Sequence, residues 1–585
     1  MKLSAIVFRK WNEPARGDFS SSAVFQYLDI DRGSATVSGF VPTEILPDTD
    51  APGASLVLTA DAGEVAIPLL PSSEFRFSGK IRSGARFSFA IDDSIPDGKY
   101  RAALKQQGCP AIPLPFATGP RFPLCLHYRN QCMRLSDGRS MQFRRDGRLH
   151  IFHESVPARL VREMRFLFEL LANRTLPEWV AAATRLCYFA WRPFHNGRYW
   201  IFSDKLSNPI DSAYSIAKAL IGNDEFSKER ITPFYLVDGR HALRARLPEK
   251  LRTVRYLSLR HRLLFLAAEV CVTSEDGYAP LAPLAPYSDI SARQIKVSSL
   301  HGIVHHDLSG LYGRDSSDFN LMLTGVRREA EYERSGLWGY APENVVCTGL
   351  PRWDDRENAP ARKICFAFTW RTSLVESSDP VTKEYRYGAL LEDSEYRKHL
   401  NSLLANPTLR ELASRQGYTI EFLPHPLMRG AMSFFEIPNH IHVVPEDTPY
   451  EDVYREASIL VTDYSSVAMD MAYLGKPVVY YQFDHDAFYA TQGYTESYFS
   501  WKADGFGPVT TDEDSTVAAI AGILDAGCRR APEYECRAKA FFPPADKLNG
   551  FRACRAIFAR IADWNVRAER VSHVHETSQS ATGTR

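Results

Sequence analysis

A short apolar strand that runs through a cluster of hydroxyls straight into a helix, at residues 457–474, constrains this chain more than any other feature. Ala457-Ser458-Ile459-Leu460-Val461 is β-branched and too brief for a helix of its own, so it reads as a buried strand. Val467, Met471 and Leu474 then recur at helical spacing until Gly475-Lys476-Pro477 supplies a stop. Between them lie Thr462-Asp463-Tyr464-Ser465-Ser466. A strand that ends in hydroxyls and opens into a helix presents backbone N–H groups and the positive end of a dipole, the parts of an anion site, most often for phosphate. The same residues serve equally well as a plain helix cap, with Asp463 or Ser465 at the N-cap.

The strand–helix alternation around this turn extends in both directions. Tyr199–Ser203, Thr232–Val237, Val270–Thr273 and Ile295–Leu300 read as strands, with a helical pattern at 213–220 and an apolar stretch at 263–268 leading into the third. A second series starts at Lys363–Phe368, continues through a helix over 402–416 and the strand Tyr418–Leu423, and closes with Pro477–Tyr481 and a helix over 516–526. Such alternation predicts α/β domains with doubly wound parallel sheets, whose ligands sit outside the carboxyl ends of the strands. Two of them in tandem suggest a ligand in the cleft between.

The first 150 residues differ. Ala35–Phe40, Ser55–Thr59 and Arg86–Ile91 are short alternating runs separated by turn signals at Asp31-Arg32-Gly33, Asp61-Ala62-Gly63, Pro96-Asp97-Gly98 and Asp146-Gly147, a β-sandwich pattern. From Val156 to Phe194 the pattern turns helical, with Leu160, Met164, Phe168 and Leu171 on one stripe and arginines outnumbering acids. That stretch fits either an amphipathic pair lying on anionic lipid or a connector packed on the next domain. The expected divisions are a β-rich accessory domain over 1–152, a helical and membrane-facing connector over 153–196, Rossmann-like domains over 197–360 and 361–565, and a disordered tail over 566–585.

Seventy basic residues balance seventy acidic ones, so no nucleic-acid partner is expected. Ten scattered cysteines without a C-x-x-C pair fit reduced core thiols of a cytoplasmic protein, and the apolar run near Met1 is too short for a signal peptide. No stretch reaches the apolar length that spans a bilayer.

Two histidines stand at strand ends: His301, before Gly302, and His425, fixed between Pro424 and Pro426. With the 461–467 turn they form a set of a base, a cationic stabiliser and an anion cradle. His305 follows His301 at a spacing that serves metals on helices, but without the accompanying acid, and neither a metal nor a cofactor is expected.

The residues from Asp452 to Phe483 resemble the signature of the CDP-glycerol glycerophosphotransferase family, the teichoic acid and capsule polyol-phosphate polymerases. His301-Gly302 is similar to the family's His-Gly, Gly349-Leu350-Pro351-Arg352-Trp353-Asp354 to its Gly-Tyr-Pro-Arg-Asn-Asp, Thr369-Trp370-Arg371 to its Thr-Trp-Arg and His425-Pro426 to its His-Pro. Asp546 to Gly550 resembles its closing Asp-Gly segment, so the likeness covers roughly residues 198 to 565. It implies a glycosyltransferase-B pair of Rossmann-like domains and transfer of glycerol or ribitol phosphate from a CDP-activated donor to a hydroxyl of a lipid-linked polymer, with release of CMP, at the cytoplasmic face of the membrane. It implies His301 and His425 as the catalytic pair, His301 as general base and His425 as donor to the pyrophosphate. Gly302, Arg371, Thr462, Asp463, Ser465 and Ser466 then form the donor site, with Arg371 adding positive charge. Two departures, Ile303-Val304-His305-His306 in place of Thr-Pro-Leu-Lys and Trp353 in place of Asn, bear on the acceptor or the polyol rather than the reaction. A nucleotide-sugar glycosyltransferase and a non-catalytic glycan-binding module are the rival readings.

Overall fold

The computed structural model describes residues 22–563 except 31–34, 47–53, 62, 78–79, 93, 107–108, 119–127, 129, 136, 145–147, 206–209, 238–246, 276–287, 318, 336, 379–384 and 447. The expected tail over 566–585 and the turns at Asp31-Arg32-Gly33, Ala62 and Asp146-Gly147 lie outside the described residues.

The N-terminal part is built of β1 (Ala23–Ile30), β2 (Ala35–Pro42), β3 (Ser55–Ala60), β4 (Gly63–Pro68), β5 (Ser72–Phe77), β6 (Lys80–Ile91), β7 (Gly98–Lys105), β8 (Ile112–Leu114), β9 (Phe116–Thr118), β10 (Met133–Arg134), β11 (Ser140–Phe143) and β12 (Leu149–Phe152). One sheet runs β5-β6-β2-β1-β9, the other β10-β11-β12-β7-β3-β4 with β8 beside β7. Alternate residues of both turn inward to a shared core of Phe25, Leu56, Phe87, Tyr100, Phe116 and Met141, and Val24, Phe40, Phe75 and Ala117 form a smaller second cluster.

Two helices follow, α1 (Val156–Ala172) and α2 (Leu176–Trp191), capped by Ser155 and Thr175 with a proline in each first turn. Phe166, Leu167, Leu170, Ala181, Ala182 and Tyr188 pack on the next domain. Buried Arg185 fastens the pair, 2.7 Å from Glu163 and 2.9 Å from Asp289.

The first α/β unit contains β13 (Arg198–Ser203), α3 (Ser212–Gly222), β14 (Ile231–Val237), β15 (Arg252–Arg255), α4 (Leu259–Ala267), β16 (Ala268–Thr273), β17 (Ile295–Ser298), β18 (Leu321–Thr324), α5 (Arg327–Glu333) and β19 (Val345–Cys347). Its strands are all parallel, in the order β15-β14-β13-β16-β17-β18-β19. The second contains β20 (Lys363–Phe366), a two-strand ribbon of β21 (Ser377–Ser378) and β22 (Tyr385–Arg386), α6 (Glu395–Ala405), α7 (Pro407–Gln416), β23 (Thr419–Phe422), β24 (Ile441–Val443), β25 (Ala457–Thr462), α8 (Val467–Tyr473), β26 (Val478–Tyr481), β27 (Val509–Thr510) and α9 (Glu513–Asp525). Its main sheet is parallel too, β24-β23-β20-β25-β26-β27. Numbered within each unit, both sheets begin 3-2-1-4-5-6, the doubly wound order whose direction reverses between first and fourth strands, where ligands bind.

Two details depart from the sequence expectation. The helix expected over 402–416 is divided into α6 and α7, because Pro407 has no N–H for the ladder and starts a new helix capped by Asn406. The terminal helix over 549–563, assigned by sequence to the second Rossmann-like domain, crosses back: Ala553, Cys554, Ile557 and Ile561 pack against Trp200, Phe202 and Ala213 of the first.

Candidate active site

The turn after β25 sits at the reversal point of the second sheet, beside the Thr369-Trp370-Arg371 segment that follows β20. Its residues divide into two sets. Thr462 Oγ1 donates to the Ala367 carbonyl at 2.6 Å and is fully buried. Asp463, equally buried, accepts from the amides of Thr369 (2.8 Å) and Tyr464 (2.7 Å) and pairs with Arg371 at 2.9 Å. Arg371 also holds Asp484 (2.8 Å) and lies over the ring of Phe488. Burial pushes the Asp463 carboxyl up, against the pull of Arg371 and the two amides.

The Thr462 side chain is therefore committed to the sheet, and those of Asp463 and Arg371 to one another. Arg371, expected to add positive charge to the donor site, is instead the counter-ion of two carboxylates. What the turn presents outward is Ser465 and Ser466: Ser465 Oγ accepts from the Val467 amide at 3.4 Å. Among the described residues the Ser465 and Ser466 amides and Ser466 Oγ have no protein partner. Unsatisfied, convergent donors of this kind suit an anion.

Across the cleft, His301 and Gly302 follow β17. Gly302 lies so close to the turn that a Cβ there would be 3.2 Å from Ser466 Oγ. His301 is exposed, and its Nδ1 stands 3.4 Å from the Ser274 carbonyl at the end of β16. A nitrogen facing a carbonyl carries the proton, which puts the lone pair of the neutral ring on Nε2. Arg352 donates to the His301 carbonyl, reaches Asp211 at 3.3 Å and holds Asp470 of α8 at 2.6 Å.

His425 follows β23 and caps the turn after it, its Nδ1 accepting from the Leu427 amide at 3.3 Å, so that Nε2 bears the proton. Its ring lies roughly parallel to Trp370, 6.2 Å between centroids. Burial first, and the Lys205 ammonium second, hold its pKa down to about 4. The expected cationic stabiliser is thus a neutral N–H donor at physiological pH.

Lys205 comes from the end of β13, at the reversal point of the first sheet, and sequence reading passed over it. The reversal-point rule would have drawn attention to it. Sequence reading also missed Asp204, whose carboxylate accepts from the amides of Asp211, Ala213 and Tyr214 at the start of α3 and from the Tyr235 hydroxyl. Trp353, whose departure from the family pattern bears on the acceptor or the polyol, is buried. It stacks on Tyr473 at 4.0 Å and donates to Asp470 at 3.0 Å. Asp354 accepts from the Asn549 and Gly550 amides, which ties the closing segment to the same corner.

Each of the two doubly wound domains places one histidine beyond a strand end, His301 after β17 and His425 after β23. Residues 335–559 match the model of the family described as CDP-Glycerol:Poly(glycerophosphate) glycerophosphotransferase. The chain is 26% identical over 412 residues to the minor teichoic acid biosynthesis protein GgaB of Bacillus subtilis, covering 68% of this chain and 44% of that protein. It is 26% identical over 226 residues to the teichoic acid poly(glycerol phosphate) polymerase of Staphylococcus epidermidis, covering 38% of this chain and 30% of the relative. The chain thus spans less than half the length of these two relatives. The solved wall teichoic acid polymerase TagF superposes with a TM-score of 0.47 at 16% identity, over 69% of this chain and 98% of its own.

Proposed function

We propose that this protein transfers a polyol phosphate, glycerol phosphate foremost, from a CDP-activated donor to a hydroxyl of a teichoic acid or capsule polymer, releasing CMP. The observation that carries the reading is the seating of His301-Gly302 against Ser466, within a cleft whose second wall lies in the family-matched stretch. In this mechanism His301 Nε2 accepts the acceptor hydroxyl's proton as it attacks the donor phosphorus. The Ser465 and Ser466 donors and His425 Nε2–H bond the pyrophosphate oxygens as charge builds on the departing CMP. Lys205 supplies the positive charge that Arg371, neutralised by Asp463 and Asp484, does not.

The same reading divides the chain into an accessory domain, a helical connector and a glycosyltransferase-B pair of domains, and places it on the cytoplasmic face of the membrane with a lipid-linked acceptor. Support for membrane contact comes from α1 and α2. Leu160, Phe168 and Phe194 are 62 %, 65 % and 84 % exposed, and Met164, Trp179, Leu186 and Phe189 extend the apolar surface. Arg165 stands exposed and Arg159 half-buried on α1, the composition of an interfacial pair on anionic lipid. Among the described residues no helix is long and apolar enough to cross a membrane.

Incubation with CDP-glycerol, CDP-ribitol and nucleotide-sugars, with CMP release followed in the presence of polymer acceptor, tests the reaction. Release of CMP from a CDP-polyol is expected. Turnover of a nucleotide-sugar alone would replace this reading with a glycosyltransferase, and no turnover with a binding module. Co-sedimentation of the full chain with anionic and neutral vesicles, with Phe168→Asp as control, tests the membrane contact.

A further inference from the structure

The segment that follows His301-Gly302 does more than leave the site. Residues 305–307 run beside 495–497 of the second domain. The Asp307 amide donates to the Thr495 carbonyl at 2.9 Å, Ser497 Oγ donates to the His305 carbonyl at 2.8 Å, and His306 pairs with Glu496 as an antiparallel bridge. The His305 side chain is only 6 % exposed. Its Nδ1 lies 3.1 Å from the Ile303 carbonyl and its Nε2 3.1 Å from the Tyr464 carbonyl; with the proton on Nε2 the ring donates from the histidine loop to the turn before Ser465. Trp501 meets the ring edge-on at 4.9 Å, Phe499 closes another side, and Tyr464 is itself stacked on Phe488 at 3.9 Å. A hydrogen bond in such a dry cage is directional, and its loss is not made good by water.

The bond's position gives it consequence. Tyr464 directly precedes Ser465-Ser466, and the Gly302 backbone faces Ser466 with less room than a methyl group takes, since a Cβ there would be 3.2 Å from Ser466 Oγ. The loop is tied from its other flank as well, where Arg352 joins the His301 carbonyl to Asp470 and the Val304 amide donates to Glu329 at 2.5 Å. Loss of the His305 bond would therefore leave the loop attached but free to slide over the turn, rather than unfold either domain.

We propose that His305 is a positioning residue: its imidazole bridges the two domains at the Tyr464 carbonyl and fixes His301 at working distance from the phosphates held by Ser465 and Ser466. The catalytic half of this inference rests on the proposed phosphate transfer, whereas the bridge itself does not.

The test uses the full chain and three variants. His305→Phe keeps the ring in its cage and removes both nitrogens, His305→Asn keeps polarity but falls short of Tyr464, and His305→Gln keeps an N–H of comparable reach. CMP release from CDP-glycerol gives kcat and KM. Hydrogen exchange read by mass spectrometry gives the local opening of 301–306 and 463–467. In the Phe and Asn variants kcat should fall roughly ten- to hundredfold with KM for the donor within about threefold, the split expected when a reacting group is misplaced rather than binding lost. Exchange of 301–306 should rise about tenfold, the worth of one buried hydrogen bond, with the sheets unchanged. The Gln variant should recover most of both. Unchanged exchange at 301–306, or a kcat within about twofold of wild type despite faster exchange, overturns the proposal. If the Phe variant does not fold, the Asn variant is read by the same outcomes. If the wild type releases no CMP from any CDP-polyol, the proposed reaction and the catalytic role of His305 fall together, and the exchange measurement alone decides the bridge.

Discussion

Replacement of Arg371 by alanine separates two roles that the sequence could not tell apart, donor ligand and internal counter-ion. The guanidinium is 3 % exposed and lies between Asp463, which is fully buried, and Asp484. Removing it leaves carboxylates facing one another without a cation, and breaking a buried pair by deletion of one partner costs about 3–5 kcal/mol. Lost packing of the guanidinium over Phe488 and Tyr396, at 4.7 and 4.8 Å, adds to that. For a domain of this size each kcal/mol lowers Tm by roughly 2–4 °C, so Arg371→Ala should melt about 6–20 °C early. Arg371→Lys should recover part of this, since an ammonium keeps the charge but not the fork that spans both acids. Scanning calorimetry gives the melting temperature, and titration with CDP-glycerol on the same samples gives donor affinity at a temperature where the variant is folded. A melting temperature within about 2 °C of wild type together with a tenfold or greater loss of affinity would refute the reasoning and return Arg371 to the ligand.

Three further outcomes follow from the same geometry. An unfolded histidine titrates near 6.5, whereas in the fold His425 is held down to about 4 by burial and by Lys205. As pH falls the unfolded chain takes the proton first, so His425's contribution to stability is complete above about 6.5 and is lost between there and about 4. His425→Gln should flatten urea midpoints across that window, and parallel curves for the two proteins would contradict it. Gly302→Ala places a Cβ 3.2 Å from Ser466 Oγ. Activity should fall with little change in melting, and Ser466→Ala in the same chain should relieve the clash while still weakening donor binding. Gly349 has φ +79° and would direct a Cβ to 1.9 Å from Asn549 Oδ1. Gly349→Ala should destabilise by about 1–3 kcal/mol, read as a shift of the denaturation midpoint, because both the backbone and its neighbour must move.

The sheets were largely legible in advance. Strands such as Ala457–Thr462 and Ile231–Val237 are short apolar runs buried on every face, and their alternation with helices leaves few other arrangements. The strand-end placement of the 462–466 turn, His301 and His425 followed from that pattern, because ligands of a parallel sheet gather where its strands end. Where each side chain points was not legible. Thr462 carries a hydroxyl as Ser465 does yet gives it to the Ala367 carbonyl, and Asp463 is taken up by Arg371, which meets Asp484 113 residues later in the chain. Trp353 looks like a change of specificity in one dimension and is a buried ring stacked on Tyr473 in three. Nor does any periodicity announce that the helix over 549–563 returns to the first domain, since an apolar stripe names no partner.

The sequence by itself determined which residue types stand at the strand ends and therefore what chemistry the cleft has available. Only the tertiary structure decided which of them face the cleft and in what charge state. Pairing, burial and clearance depend on groups far apart along the chain, such as Lys205 near His425 and Tyr464 against His305, and these meet only once both domains are folded.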